Sequence, residues 1–276
     1  MFTPSTLKFA NFLSPVLYET YAFIASYVGE RVGRPATLHV GQSLEEFASQ
    51  PRSVDVGFLC GLLYVHAKRR PDCPFELLVA PVLQGRRYQQ RPIYYSDVVV
   101  RSDSPFITFA DLQGCIWAYN ERASHSGYNL VYHSLLEHGK SLDYFGEMIA
   151  TGSHLRSLQV VLDGKAHATA LDSHMLDTLL LRQPELAKKI RVIDMFGPST
   201  IPPIVVARRL DDDLKQRMRA VLISMHKDPR SARELRKGSI ERFVSMCDAD
   251  YDDLRSMFAR VQQDAYPFVQ AEHAPG

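Results

Sequence analysis

The fold is indicated most clearly by residues 115–139, which read CIWAYNERASHSGYNLVYHSLLEHG. Residues 115–119 are apolar and β-prone, which predicts a strand, and residues 126–138 have apolar side chains at helical spacing. Gly139 provides the usual end of such a helix. A strand that leads through a polar turn into a helix is the unit from which parallel α/β sheets are built.

The same alternation of short strands and amphipathic helices continues in both directions. Ser14 and Pro15 predict the start of a helix that Gly29 or Gly33 ends. The chain after Leu210 is predicted to be helical. Alternating strands and helices imply a doubly wound α/β architecture with parallel sheets, and 276 residues suggest about two domains or lobes. Ligands of such sheets bind beyond the carboxyl ends of the strands.

The composition excludes several classes of function. The 32 Lys and Arg against 31 Asp and Glu leave a net charge of +1, which gives no general attraction to nucleic acid or to an anionic membrane. Neither a P-loop, a G-x-G-x-x-G turn, a G-x-S-x-G elbow nor an H-E-x-x-H helix occurs. No cofactor and no metal site are therefore predicted. The four Cys stand far apart, and we expect them to be buried, reduced thiols.

The sequence contains no apolar run of the roughly 18 residues that a membrane span needs. Its first residues also lack the pattern of a signal peptide, because Pro15 and Glu19 interrupt the only apolar run. The expected location is the cytoplasm if the sequence is complete. It is the periplasm, or an extracytoplasmic membrane-associated site, if a leader was removed.

The turn at residues 120–128 is the strongest candidate for a binding site. It places Ser124, His125, Ser126 and Gly127 between a strand and the start of a helix. Free N–H groups and the helix dipole favour negative charge there, and glycine lets the backbone approach a bulky anion. A plain N-cap is the alternative interpretation, but capping alone does not need two hydroxyls beside an imidazole.

Two further turns have a similar composition. His154 follows Thr151-Gly-Ser153 at the start of a helix, where a neutral imidazole N–H could donate to the same anion. Asp172 ends a strand in Leu171-Asp-Ser-His174, where it could accept a ligand proton or orient His154. The alternative for each is a helix cap beside a solvent-facing histidine.

Four blocks of this sequence resemble the substrate-binding proteins of phosphonate, phosphite and phosphate ABC importers. The Ser-x-Ser-Gly-Tyr pattern at 124–128, followed by His154, is the most specific combination. The similarity spans roughly residues 7–225. The matching blocks, in the order that the family has them, are residues 55–64, 94–105, 111–114 with 124–128, and 152–154 with 160–164 and Asp172.

The resemblance implies a type II periplasmic-binding-protein fold, in which two doubly wound α/β lobes are joined by a hinge and close on a ligand. Residues 1–97 and 197–276 would form one lobe, and residues 98–196 the other, which carries the main oxyanion-binding helix ends. The contacts of the family fall on Ser124, His125, Ser126, His154 and, by the resemblance alone, Tyr94.

Departures from the family pattern bear on the ligand. His174 and Pro202 stand where binders of aminophosphonates carry a carboxylate for the amine. A positively charged aminoalkyl group is therefore poorly accommodated, and phosphate, phosphite or another phosphonate is expected. His125 stands at a threonine of the family and adds a possible cationic donor, which also favours an anion.

The leading hypothesis is non-catalytic binding of a small phosphorus oxyanion by the solute-binding component of an ABC importer. No catalytic residue is assigned. The expected partners are the small anion and an ABC permease, with no nucleic acid and no direct membrane insertion, and the protein is expected to be a monomer. The alternative is a cytosolic enzyme or ligand sensor on the same bilobal fold, with Asp172 and either His154 or His174 as its acid/base pair.

Overall fold

The computed structural model describes residues 5–48 and 54–265, and its strands form two sheets. The first sheet contains β1 (Leu7–Asn11), β2 (Ala36–Val40), β3 (Val56–Phe58), β4 (Phe75–Leu83), β10 (Ile204–Ala207) and β11 (Ile240–Val244), in the order β11-β4-β10-β3-β1-β2. The second sheet contains β5 (Ile93–Arg101), β6 (Ile116–Tyr119), β7 (Glu147–Ala150), β8 (Ala168–Asp172) and β9 (Ile190–Thr200), in the order β7-β6-β8-β5-β9.

Helices connect the strands and pack against the sheets. The α-helices of the described residues are α1 (Tyr18–Val32), α2 (Gly61–Lys68), α3 (Leu130–Glu137), α4 (His154–Leu162), α5 (Ser173–Arg182), α6 (Asp212–Ser224), α7 (Pro229–Lys237) and α8 (Asp252–Ala265). Each sheet has its own apolar core. Val28, Phe58 and Leu78 lie in the core of the first, and Val98, Trp117 and Leu135 in that of the second.

The helix that follows β1 begins and ends as its sequence predicts. Ser14 accepts a hydrogen bond from the Val16 N–H, and Pro15 opens a 3₁₀ turn that continues into α1. Gly33 ends the helix in the left-handed conformation, at φ 71°, which glycine adopts without steric cost.

Two expectations about the sheets are wrong. The sheets are mixed rather than parallel, because β10 runs antiparallel to both β3 and β4, and β5 runs antiparallel to both β8 and β9. The region after Leu210 is not wholly helical, because β11 pairs antiparallel with β4. Only Ile240 and Phe243 of β11 are buried, so its apolar pattern is too short to distinguish a strand from a helix.

The chain passes from the first sheet to the second between β4 and β5, and it returns between β9 and β10. The predicted lobe limits at 97/98 and 196/197 fall inside β5 and β9, and the division into 1–97 with 197–276 and 98–196 stays a prediction. Residues 1–4, 49–53 and 266–276 of the predicted first lobe lie outside the described residues. None of the described helices is both long and apolar enough to cross a bilayer.

Candidate functional site

A cleft of about 440 Å³ lies between the two sheets, beyond the ends of several strands. Asn11 and Cys60 reach it from the first sheet, at the ends of β1 and β3. Ser126 and His154 reach it from the second sheet, after β6 and β7. The cleft thus lies where an α/β sheet ordinarily binds its ligands.

The turn between β6 and α3 brings two hydroxyl groups to the cleft. The Oγ of Ser124 accepts from the Gly127 N–H at 3.1 Å, so its own hydrogen remains available to a ligand. The Oγ of Ser126 lies 3.2 Å from Nε2 of His154, the first residue of α4. Ser124, Ser126 and His154 all line the cleft, so the structure brings these predicted residues together.

Burial controls the protonation of His154. It lowers the pKa of the imidazole to about 4, so the ring is neutral near pH 7. A neutral imidazole has one N–H donor and one acceptor nitrogen. Its Nδ1 has no hydrogen-bond partner in the structure, while Nε2 faces Ser126. The ring and the hydroxyl together can therefore supply donors to an anion without carrying a charge.

Tyr94 of β5 presents a third hydroxyl to the cleft. The residue is 0% exposed, and its Oη has no hydrogen-bond partner. Burial raises the pKa of the phenol well above its usual value, so the group stays a donor at neutral pH. Leaving a buried hydroxyl unpaired costs about 1–3 kcal/mol, which an accepting ligand oxygen would recover.

Gly127 does not itself line the cleft, and its importance is steric. A Cβ at this position would lie 1.9 Å from Oδ1 of Asn120 and 3.1 Å from Cε1 of His154, both of which are cleft residues. Glycine therefore lets the 120–128 turn pack against the start of α4. This differs from the direct approach of backbone to ligand that the sequence suggested.

Asp172 lines the cleft as the N-cap of α5. Its Oδ1 accepts from the Met175 N–H at 3.0 Å, and it forms no hydrogen bond with His154, so the orienting role considered above is not observed. Burial raises the pKa of Asp172 to about 6. Because this carboxyl takes up a proton more readily than an ordinary aspartate does, its electrostatic repulsion of an anionic ligand is weaker.

His174 also lines the cleft, and its tautomer follows from its partner. Nε2 lies 2.7 Å from the Gly238 carbonyl oxygen, which can only accept, so Nε2 carries the hydrogen. Burial lowers the pKa of His174 to about 4. The neutral ring therefore leaves Nδ1 as an acceptor rather than a second donor.

His125, like Gly127, is a predicted site residue that does not line the cleft. Its Nε2 lies 2.8 Å from the Ser199 hydroxyl, and its Nδ1 lies 3.2 Å from the Asn129 amide nitrogen. Burial lowers the pKa of His125 to about 3, so the expectation of a cationic donor is wrong. The residue instead ties the 120–128 turn to β9.

The buried, neutral His125 has a consequence for acid stability. The ordinary pKa of histidine is 6.5, so below that pH the imidazole is protonated in the unfolded chain but stays neutral in the folded chain. The free energy of unfolding therefore falls by about 1.4 kcal/mol for each pH unit below 6.5. Between about pH 6.5 and pH 5.0, both the wild type and the His125→Gln variant are compared for their loss of unfolding free energy. We expect the wild type to lose about 2 kcal/mol more than the variant. Urea denaturation at both pH values measures this, and parallel pH profiles would contradict it.

Neutral groups dominate the electrostatics of the cleft. Its described lining includes no Lys or Arg, and Glu121 and Asp172 are its carboxylates. The first turns of α4 and α5 begin at the cleft, where N–H groups without helical partners and the helix dipoles favour negative charge. An anion here would be held by neutral donors.

Cysteine and metal chemistry contribute little to this region. In residues 5–48 and 54–265, no group of three or more His, Cys, Asp or Glu is placed to hold a metal ion. Cys73 and Cys115 are buried, but Cys60 is only partly buried and Cys247 is exposed, so the expectation of four buried thiols is wrong for Cys60 and Cys247.

The geometry agrees with a family assignment. The model of the family described as "ABC transporter, phosphonate, periplasmic substrate-binding protein" matches residues 9–251. The chain belongs to this family. The resemblance inferred from the sequence is thereby confirmed, and membership implies a small ligand, an ABC permease as partner and an extracytoplasmic location.

Several solved structures share the fold of this chain. A binding-protein component of a phosphonate ABC transporter from Pseudomonas aeruginosa is 16% identical, with a TM-score of 0.80, covering 96% of this chain and 89% of that chain. PhnD1 from Prochlorococcus marinus, in complex with methylphosphonate, is 14% identical, with a TM-score of 0.79, and the match covers 94% of this chain and 99% of that chain. A Xanthomonas citri protein bound to ATP is 20% identical, with a TM-score of 0.68, and the match covers 94% of this chain and 98% of that chain. The predicted type II periplasmic-binding-protein fold is confirmed.

The cleft residues that the sequence-based prediction did not assign to the site include Asn11, Cys60 and Asn120. Asn120 is the first residue of the predicted 120–128 turn and could have been assigned to the site together with Ser124 and Ser126. Asn11 is the last residue of β1, and a polar residue at a strand end was a usable signal there. Cys60 precedes α2 in an otherwise apolar stretch, and nothing in that stretch marks it as a cleft residue.

Proposed function

We propose that the cleft captures a small phosphorus oxyanion, namely a phosphonate, phosphate or phosphite, for delivery to an ABC permease. The observation that carries the proposal is the convergence of Tyr94, Ser124, Ser126 and His154 on one cleft, where the Tyr94 hydroxyl is buried without a partner. A tetrahedral oxyanion offers several acceptors in different directions, and these donors approach the cleft from three elements: β5, the 120–128 turn and α4.

The absence of Lys and Arg from the described lining suits a carrier. Hydrogen bonds from neutral donors to a charged ligand contribute about 1.5–3 kcal/mol each, so several of them bind an anion without a fixed counter-charge. Because these side chains lie at helix starts and on β5, little ordering is needed on binding. The ligand of the Prochlorococcus protein, methylphosphonate, belongs to the class proposed here.

The same lining bears on the charge of the ligand's substituent. His174 is held neutral by burial, and Pro202 offers no charge, so neither supplies a counter-ion for an amine. We therefore propose an uncharged substituent on phosphorus. We further propose that the protein works as a monomer, without a cofactor or a catalytic step.

Cys60 provides a direct test of where the ligand binds. We expect a Cys247→Ser variant to react with N-ethylmaleimide at Cys60, because Cys73 and Cys115 are buried. Calorimetry first identifies a binder among phosphate, phosphite and methylphosphonate. At 100 times its Kd, about 1% of the protein is free, so alkylation of Cys60 should slow by up to about 100-fold.

The matched control is the Cys60→Ser, Cys247→Ser variant, which should not react on this time scale. Failure of every phosphorus oxyanion to bind would overturn the proposed function. Tight binding that leaves the alkylation rate of Cys60 unchanged would instead place the ligand outside this cleft.

A further inference from the structure

Asn11 is a cleft residue whose side chain has a defined orientation. It is the last residue of β1 and is 1% exposed. Its Oδ1 accepts from the Leu13 N–H at 2.9 Å, which assigns the oxygen and the nitrogen of the amide. Its backbone carbonyl accepts from the Gly41 N–H at 3.0 Å, so the residue is held at both ends.

The other half of this amide is unsatisfied. Nδ2 of Asn11 is buried and has no hydrogen-bond partner in the structure. Buried polar groups are nearly always paired, and an unpaired donor is costly, so such a group in a binding cleft indicates a ligand acceptor. Since Leu13 fixes Oδ1, the free group is a donor whichever ligand enters.

Asn11 reaches the cleft from a different sheet than the oxyanion donors do. Asn11 belongs to the first sheet, whereas Ser124, Ser126 and His154 follow strands of the second. The cleft between them, about 440 Å³, falls within the range of pockets that hold organic molecules, and Leu63 and Pro202 contribute apolar lining. There is room for a carbon substituent as well as a phosphorus group.

We propose that Asn11 is a specificity-determining residue: its Nδ2 donates to an uncharged oxygen acceptor on the organic substituent of the ligand. This rests on the proposed function and narrows it. The preferred ligands are organophosphonates or phosphate esters with a carbonyl, ether or hydroxyl oxygen, rather than inorganic phosphate. Residues that follow strands of the second sheet bind the phosphorus oxyanion, and Asn11 of the first sheet contacts the organic substituent.

Matched pairs of ligands isolate this contact. 2-Oxopropylphosphonate and 2-methylpropylphosphonate have similar shapes, but only the first carries a carbonyl acceptor; 3-oxobutyl- and 3-methylbutylphosphonate place it one carbon farther away. For at least one pair, we expect calorimetry to show about 2- to 12-fold tighter binding of the oxo compound. The ratio within a pair cancels the contribution of the phosphonate group.

Two variants test the role of Asn11 itself. Asn11→Asp keeps an acceptor for the Leu13 N–H but replaces the donor with an acceptor, and Asn11→Ala removes both. We expect the preference to disappear in Asn11→Ala and to disappear or reverse in Asn11→Asp. The proposal would be overturned if the two Kd values within each pair were nearly equal for the wild type. It would also be overturned if both variants kept the preference for the oxo compound. Binding of phosphate or phosphite but of none of these phosphonates would also overturn the proposal about Asn11. Failure of the wild type to bind any phosphorus oxyanion would reject the proposed function instead.

Discussion

An alanine at position 127 is expected to weaken binding of a phosphorus oxyanion by about 100-fold or more. The added Cβ would lie 1.9 Å from Oδ1 of Asn120 and 3.1 Å from Cε1 of His154, so the Asn120 side chain must turn away and the His154 ring must shift. Both side chains line the cleft, and His154 faces Ser126, so we expect the contacts of Ser126 and His154 with the ligand to be disturbed together. Two hydrogen bonds to a charged ligand, of about 1.5–3 kcal/mol each, are then lost, at tenfold per about 1.4 kcal/mol. Calorimetry with methylphosphonate measures the effect.

A double-mutant cycle identifies the cause of this loss. Because the closest collision is with the Asn120 side chain, Asn120→Ala should relieve most of the strain that Gly127→Ala introduces. We expect the double variant to bind about as well as Asn120→Ala alone, a strong departure from additivity. Additive losses in the cycle would show that the effect of Gly127→Ala is not steric. Circular dichroism at the assay temperature verifies that each variant is folded.

Replacing His154 with alanine is expected to lower oxyanion affinity by about 5- to 150-fold, which corresponds to about 1–3 kcal/mol. The imidazole is neutral, so the loss reflects hydrogen bonding rather than charge. Ser126→Ala should have an effect in the same range. Because the two side chains are 3.2 Å apart, the double variant should lose less than the sum. Isothermal titration calorimetry at pH 7.5 provides the affinities.

Two controls accompany the His154 series. His133→Ala removes an imidazole that does not line the cleft, and its affinity should match the wild type within about twofold. Since the pKa of His154 is about 4, its titration adds no pH dependence to binding between pH 6 and 8. Unchanged affinity in both His154→Ala and Ser126→Ala would contradict the assignment of these residues to the ligand site.

Much of the candidate site could be predicted because it depends on local sequence. Ser126, His154 and Asp172 each lie at a junction between a strand and the helix that follows it, and these junctions are visible in the hydrophobic pattern. The strands before them, β6, β7 and β8, are parallel neighbours, so their carboxyl ends meet at one edge of a sheet. Residues at that edge therefore come together.

Other parts of the site depend on contacts that no local pattern specifies. His125 and Ser126 are adjacent in the chain, yet one faces Ser199 and the other faces the cleft. That choice is made by the π-helical turn at His125–Asn129 and by its packing against β9. The antiparallel placement of β10 between β3 and β4 is likewise a result of long-range pairing.

By itself, the sequence of this protein determined the alternation of strands and helices, the residues at each strand-to-helix turn and the family. Those features follow from hydrophobic period and capping chemistry, which act over a few residues. Only the tertiary structure decided that Asn11 and Cys60 face the same cleft as Ser126 and His154, and that His125 does not. The physical reason is that these residues belong to elements far apart in the chain. Which of them face the cleft depends on how the two sheets pack together.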